Sequence, residues 1–295
     1  MTERGRPLVV GEVLYDEMPD GARVLGGAPF NVAWHLEAFG LRPLVITRVG
    51  ADDSGDDVLA AMAAWGLETS GVQRDNDHRT GRVKVELEDG DPTFHILPEQ
   101  AYDFLDRDEA LQSMAGEDLR LVYHGSLISR EEVSHATLDS IVQAADLPVF
   151  VDVNLRDPWW NHGKVVAAVR RARWVKVNEA ELGLLAGGPD PATAEAFLSD
   201  HGLDTLIVTR GDRGALVVDS SGTAEVGVPG KVEVVDTVGA GDAFSSVFIL
   251  GLMMGWPSAL TLERALDFAA AVCTLSGATT EDRSLYSRFE CQGWW

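Results

Sequence analysis

Cysteine is scarce in this chain of 295 residues: there are two, Cys273 and Cys291. Two thiols are too few for a disulfide framework, so a reducing compartment is the default and the cytoplasm is the expected location. Cys273 falls in an apolar helical stretch and is expected in the core. Lysine is scarce as well. Of 24 basic residues only Lys84, Lys164, Lys176 and Lys231 are lysine, against 47 acidic residues, and the formal charge is 24 − 47 = −23. A chain so short of positive charge suits neither nucleic acid nor an anionic membrane, because both reward Lys and Arg. An acidic surface serving solubility explains that charge without any function. Any phosphate must then be held locally, by backbone N–H groups, a helix N-terminus or a metal ion. Long apolar runs are also lacking. MTERGRPLVV has no signal-peptide core. The most apolar segment, Ala243 to Trp256, spans about 14 residues, too short for a bilayer and suited to a buried helix. There is no fixed-period repeat and no low-complexity tract.

What is present is enough for a sizeable core: 45% hydrophobic residues and 30 glycines. The length permits one large or two ordinary domains. Strand and helix alternate. LVVGEVL (8–14) reads as a buried strand, Pro29 to Phe39 as a helix ended by Gly40, and PLVITRVG (43–50) as a second strand. Ser54 to Trp65 reads as a helix with Gly66 as its stop. The apolar runs 119–125, 148–154, 173–178 and 205–211 suit interior parallel strands, separated by helical stretches at 131–145, 163–172 and 190–201. Such alternation implies an α/β fold with a parallel sheet and helices on both faces.

One segment breaks the pattern. GRVKVELEDGDPTFHI (81–96) reads as two strands joined by a tight turn at Asp89-Gly90-Asp91. Val83, Val85 and Leu87 alternate with Lys84, Glu86 and Glu88, as in a half-exposed antiparallel hairpin. It forms either a small β flap added to the core or an extension of one edge of the main sheet.

The richest stretch is VEVVDTVGAGDAFSSVFILGLMMG (232–255). It reads as an alternating strand ending at Asp236, then Gly239-Ala240-Gly241, then Asp242 and an apolar helix. Small residues at a first helical turn let N–H groups face an anion, and the helix dipole adds partial positive charge. A carboxylate beside that turn can take a proton from a nucleophile attacking the anion. A phosphoryl transferase needs both parts. A glycine-rich cap with an ordinary first-turn Asp would read the same way. Standard phosphate signatures do not settle it. There is no G-x-x-x-x-G-K-[ST], and GAGDAF lacks the third glycine of the dinucleotide fingerprint.

DTVGAGDAF (236–244) resembles the C-terminal signature of the ribokinase-like, or PfkB, carbohydrate kinases. GGAPFNVAWHLEAFG (26–40) resembles their N-terminal Gly-Gly signature. GEVLYD (11–16), DVNLRDPWW (152–160) and KVNEAEL (176–182) fit between and before them. The resemblance covers essentially the whole chain and looks closest to the fructokinase-like branch. It implies a three-layer α/β/α sandwich with a mostly parallel central sheet. It also implies one domain over 1–295, with a β lid formed mainly by about 12–26 and 79–104. The implied activity is transfer of phosphate from ATP, with Mg²⁺, to a small sugar, D-fructose first.

Site residues carry over as follows. Gly239, Ala240 and Gly241 become the anion hole and Asp242 the catalytic base. Asp16 is implied to bind sugar hydroxyls; a carboxylate at a strand's C-terminal end also lies at the usual site edge of an open α/β sheet. Gly26, Gly27 and Asn31 fit close approach to a sugar, although Asn31 can equally decorate its helix. Asn154 and Arg156 end another strand, where Arg156 can reach a phosphate or an acceptor carboxylate bidentately. Phe94 or His95 of the lid is implied to touch substrate. Asn178 and Glu181 match an N-x-x-E motif implied to act at Mg²⁺ and the nucleotide phosphates, Glu181 through water; the same pair is also good helix-start chemistry. Thr209, Gly211 and Gly214 are implied nucleotide contacts, and Asp236 a possible site for K⁺. A homodimer through the lid is a further implication, with no nucleic-acid or membrane partner.

Two features depart from the family. DFAAAVCTLSGA (267–278) has alanines where ribokinase-like enzymes often carry an Asn near adenine, which loosens the choice of ATP over other nucleotides. Ala28-Pro29-Phe30 replaces the lysine of ribokinase's own motif, which speaks against ribose. Arg156 keeps a 2-keto-3-deoxygluconate kinase open as the alternative, and other sugar or nucleoside kinases with it. A sugar-sensing protein on an inactive kinase fold is a third reading.

Overall fold

The computed structural model describes residues 5–88, 91–222 and 224–295. Asp89 and Gly90 of the expected hairpin turn lie outside them. The strands are β1 (Arg6–Val10), β2 (Leu14–Glu17), β3 (Arg23–Gly26), β4 (Leu44–Gly50), β5 (Val72–Asp75), β6 (Gly81–Glu88) and β7 (Asp91–Ile96). They continue as β8 (Leu119–Gly125), β9 (Val149–Asp152), β10 (Trp174–Asn178), β11 (Thr205–Thr209), β12 (Ala215–Asp219) and β13 (Ala224–Gly227). The first helices are α1 (Ala28–Ala38), α2 (Asp53–Trp65), α3 (Arg107–Met114), α4 (Glu132–Ala145) and α5 (His162–Arg171). The rest are α6 (Glu179–Ala186), α7 (Pro191–His201), α8 (Ala240–Met254), α9 (Ser258–Val272) and α10 (Ser284–Glu290).

Nine strands form one sheet in the order β13-β12-β11-β10-β9-β8-β1-β4-β5. From β11 through to β5 all neighbours are parallel, while β12 and β13 add an antiparallel edge. Side chains alternate along the strands, so each strand feeds two cores. Val9, Val45 and Tyr123 pack with α1, α2, α8, α9 and α10 on one face. Leu8, Val10, Ile46, Val122 and Val151 pack with α3 to α7 on the other. The result is the expected α/β/α sandwich. Strand order reverses between β1 and β8, the switch point where open α/β sheets place their crevice.

The expected strand over 8–14 is two strands. The chain leaves the main sheet at Gly11, where a Cβ would lie 2.3 Å from Pro29 Cγ, so only glycine lets α1 come this close. Beyond it, β2 joins a separate four-stranded sheet ordered β3-β2-β6-β7. The 81–96 hairpin therefore does not extend an edge of the main sheet. Val83 and Val85 are buried, while Lys84 and Glu86 face solvent.

The expected strand ending at Asp236 is absent. Residues 228–238 belong to no strand or helix, because β13 already fills the sheet edge. Val234 and Val235 are exposed, and the segment is tied down through Val235 N–H and Asp236 N–H to Cys273 O at 2.9 and 3.3 Å. Cys273, expected in the core, is only partly buried and ends α9 beside this segment. α8 is buried along Ala243 to Gly251. No helix among the described residues is long and apolar enough to cross a membrane.

Candidate active site

α8 begins where Gly239 takes a left-handed conformation, φ 79°. A Cβ there would sit 2.3 Å from Ala278 Cβ, so the turn needs glycine both for its backbone angle and for space. Ala243 N–H bonds to Gly239 O at 2.8 Å and Ala240 N–H to Thr237 O at 3.3 Å. Ala240 thus spends its amide inside the protein, whereas the N–H groups of Gly239, Gly241 and Asp242 meet no acceptor among the described residues. First-turn N–H groups and the helix dipole make this end of α8 ready for an anion.

Asp242 is half-buried, and Asn31 Nδ2 on α1 donates to its Oδ2 at 2.8 Å. Burial pushes the Asp242 carboxyl up to about 6; the Asn31 bond opposes the shift, Asp152 adds to it, and Lys176 and Arg156 counter it. Below the turn, Lys176 Nζ donates to both oxygens of Asp152 at 2.9 and 2.7 Å. Ser245 and Tyr123 donate their hydroxyls to the same carboxylate at 2.8 and 3.3 Å. A Cβ on Gly241 would lie 3.3 Å from Lys176 Nζ, so this buried ammonium sits directly under the turn.

Asp16 on β2 lies close to the same group. A Cβ on Gly26 would be 3.7 Å from Asp16 Oδ2 and 3.8 Å from Asn31 Oδ1. Burial pushes the Asp16 carboxyl up to about 6, against the pull of Arg156. Gly27 caps α1 and packs on the carbonyl of Glu12. Glu12 itself is 4% exposed, its Oε2 has no partner among the described residues, and burial pushes it up to about 7. Arg156 is exposed and makes no ion pair among the described residues, yet its charge acts on Glu12, Asp16 and Asp242 alike. Asn154 is left-handed, φ 39°, and its carbonyl accepts from Ser126 Oγ at 3.4 Å.

Asn178 and Glu181 form the capping box of α6. Glu181 Oε2 accepts from Asn178 N–H and Oε1 from Leu155 N–H, both at 2.8 Å, so this carboxylate also holds the loop that carries Asn154 and Arg156. Asp236 accepts from Val238 N–H and Gly277 N–H, each at 3.0 Å. Phe94 is 47% exposed and lies opposite Val85. The register puts it on the face of the small sheet that carries Asp16, with His95 on the other face beside Glu86.

A cleft of about 690 Å³ runs from this site between β11–β12 and α8–α9. Thr209, Gly211 and Gly214 line one side, Ala240, Gly241 and Phe244 the floor, and Val228, Val232 and Val234 the rim. Its volume fits a nucleotide, its walls are largely apolar, and it opens onto the N-terminus of α8. Val232, Val234 and Cys273 are thus cleft lining. Among the described residues no three His, Cys, Asp or Glu side chains converge on a metal position. A divalent ion would therefore rely on phosphate oxygens for most of its ligands.

Sequence reasoning did not single out Glu12, Asp152 or Lys176. Each had a signal: one charged residue inside an otherwise apolar strand or strand end.

Sheet, cleft and acid-bearing helix turn together define an α/β kinase. Residues 9–284 match the pfkB family carbohydrate kinase model, and the chain belongs to that family. A fructokinase of Salmonella typhimurium is 31% identical over 92% of this chain and 94% of its own. "Probable fructokinase-7" of Arabidopsis thaliana is 30% identical over 92% of this chain and 82% of its own. A double-mutant fructokinase of Vibrio cholerae O395, solved with fructose, ADP and potassium ion, has a TM-score of 0.82 at 25% identity, covering 96% of this chain and 98% of its own.

Proposed function

We propose that this carbohydrate kinase transfers the γ-phosphoryl group of ATP to a primary hydroxyl of a small neutral sugar, D-fructose first. One observation carries the reading. Asn31 holds Asp242 at 2.8 Å beside N–H groups that meet no acceptor among the described residues, at the mouth of a nucleotide-sized cleft. Asp242 accepts the acceptor's proton. The N–H groups of Gly241 and Asp242 take the charge that develops on the phosphoryl oxygens. Asp16, Asn31, the Gly26–Gly27 backbone and Asn154 hold sugar hydroxyls, with Phe94 over them. Thr209, Gly211, Gly214 and the side chain of Asn178 face the nucleotide. Mg²⁺, when bound, neutralises phosphate charge; Glu181 serves chiefly by holding the Leu155 loop. On this reading 1–295 is one catalytic unit, and the small sheet is its lid, excluding water from the transfer. The lid is also the surface through which two copies would pair.

Fructose stands first because curated relatives carry that activity in their names and one solved neighbour holds fructose and ADP. Potassium in that neighbour supports a monovalent-ion requirement, for which the Asp236 turn is the proposed place and activity in potassium against lithium chloride the test. A second reading, an acidic acceptor such as 2-keto-3-deoxygluconate, is favoured by one observation: the exposed, unpaired Arg156. ADP release over a panel of neutral sugars, sugar acids and nucleosides decides between them. Turnover restricted to sugar acids would overturn the fructose reading. Sugar binding with no ADP release would mark an inactive binding protein.

A further inference from the structure

Arg130 lies in the turn before α4 and has no part in the site described above. Its guanidinium is almost wholly buried, with 1% of the side chain exposed. Nε and Nη2 grip Asp103 Oδ1 and Oδ2 at 2.7 and 2.5 Å, and Nη2 also donates to Leu97 O at 2.7 Å. Leu97 directly follows β7, so this contact pins one root of the small sheet. The guanidinium lies over two rings, 5.0 Å from the centroid of Tyr102 and 4.6 Å from that of Trp159. Tyr102 packs under the other root: a Cβ on Gly81, the first residue of β6, would lie 2.9 Å from its ring. Trp159 closes a turn by donating its N–H to Arg156 O at 2.7 Å.

The contacts form one continuous path. Arg156 is held by the Trp159 turn, Trp159 stacks on Arg130, and Arg130 grips both ends of the segment that anchors the small sheet. Near the same spot three buried atoms lack partners among the described residues: Arg130 Nη1, Tyr102 Oη and Glu12 Oε2. A forked, flat cation suits such a joint, because it bonds in its plane and can lie against aromatic rings.

We propose that Arg130 is a positioning residue for the kinase reaction, fixing the Arg156 turn against the roots of the small sheet and so setting affinity for the acceptor. The inference rests on the acceptor-site reading above. Arg130→Lys keeps the charge but loses the fork and the flat face. Trp159→Leu leaves the ion pair with Asp103 intact and removes only the stack, so it serves if the first variant folds poorly. Steady-state kinetics are measured with the sugar that wild-type enzyme turns over best. Each variant is expected to raise KM for the acceptor about tenfold, while kcat and KM for ATP stay within about threefold. Because both act on one joint, the double variant should do little more than either single one. A lowered melting temperature with unchanged acceptor KM, equal losses for sugar and ATP, or multiplicative effects in the double variant would each overturn the proposal. Wild-type enzyme that phosphorylates no sugar would instead sink the acceptor-site reading, and this inference with it.

Discussion

Asn31 and Asp242, 211 positions apart, are joined by one hydrogen bond of 2.8 Å. It links the Gly-Gly helix to the helix that carries Asp242, the proposed base. A donor to a carboxylate favours the charged form, so this bond holds the Asp242 pKa below what burial alone would set. Asn31→Leu removes the donor. The acid limb of the kcat/KM profile, expected near pH 6 from Asp242, should then move to higher pH, because the base stays protonated further up. An acid limb that stays in place while activity drops uniformly would show that the bond does not tune the base.

Asp242→Asn tests the base itself. The amide keeps the size and can still meet Asn31, so the melting temperature should hold within a few degrees. The rate should fall by about 10²-fold or more. Turnover near the wild-type value in a well-folded variant would remove Asp242 from the mechanism.

The local half of this site was legible and the long-range half was not. Gly239 to Asp242 are consecutive, so their meeting at one helix turn could be read from spacing alone, while the roles proposed for them came from the resemblance. The Lys176–Asp152 pair joins two neighbouring strands, and each partner shows only as a stray charge in an apolar run. Periodicity reports exposure on alternating faces, not whether a neighbouring strand exists. That is why Val232 to Val235 read as a strand: the alternation is real, but β13 occupies the edge they would need. Gly11 misled in the opposite sense. Apolar residues on both sides suggested continuity, and only the packing of Pro29 shows why the chain must turn there. The 3.6-residue pattern served better, and Gly66 does cap α2 in the left-handed conformation.

Lys176→Met should cost far more stability than a surface change. It leaves Asp152 buried with two hydroxyl donors but no cation. Breaking a buried pair from one side typically costs about 3–5 kcal/mol. Pairing it with Asp152→Asn should recover a good part of that loss, since the orphaned charge goes too. Urea unfolding of the two singles and the double checks this; strictly additive losses would mean the ions do not act as a pair.

Glu12 sets a pH dependence of stability. Its carboxyl rises from an ordinary 4.5 to about 7 on folding, burial being the main cause. The folded state then binds more protons than the unfolded one between these values, so stability should fall as pH rises through this window and level off above it. The loss is on the order of 3 kcal/mol at most. Asp16 and Asp242, both pushed up to about 6, act in the same direction. Glu12→Gln cannot ionise, so its stability should exceed that of wild type more at pH 8 than at pH 5. Melting curves that keep the same separation at both pH values would refute this role.

Glu181 separates two accounts of one residue. As a metal partner it would tune the Mg²⁺ requirement. As a structural clamp it holds the Asn178 and Leu155 N–H groups, and through Leu155 the loop bearing Asn154 and Arg156. Both oxygens are already engaged, and Glu181→Gln would turn an NH₂ donor against one of those N–H groups, leaving a buried donor unsatisfied at about 1–3 kcal/mol. The clamp account predicts a several-fold rise in acceptor KM and a lower melting temperature. It also predicts that the Mg²⁺ concentration for half-maximal rate stays the same. The metal account predicts the reverse order, with Mg²⁺ dependence shifting first and acceptor KM little changed. Because the two oxygens face backbone amides from the end of β10 and from the loop after β9, the first pattern is the expected one.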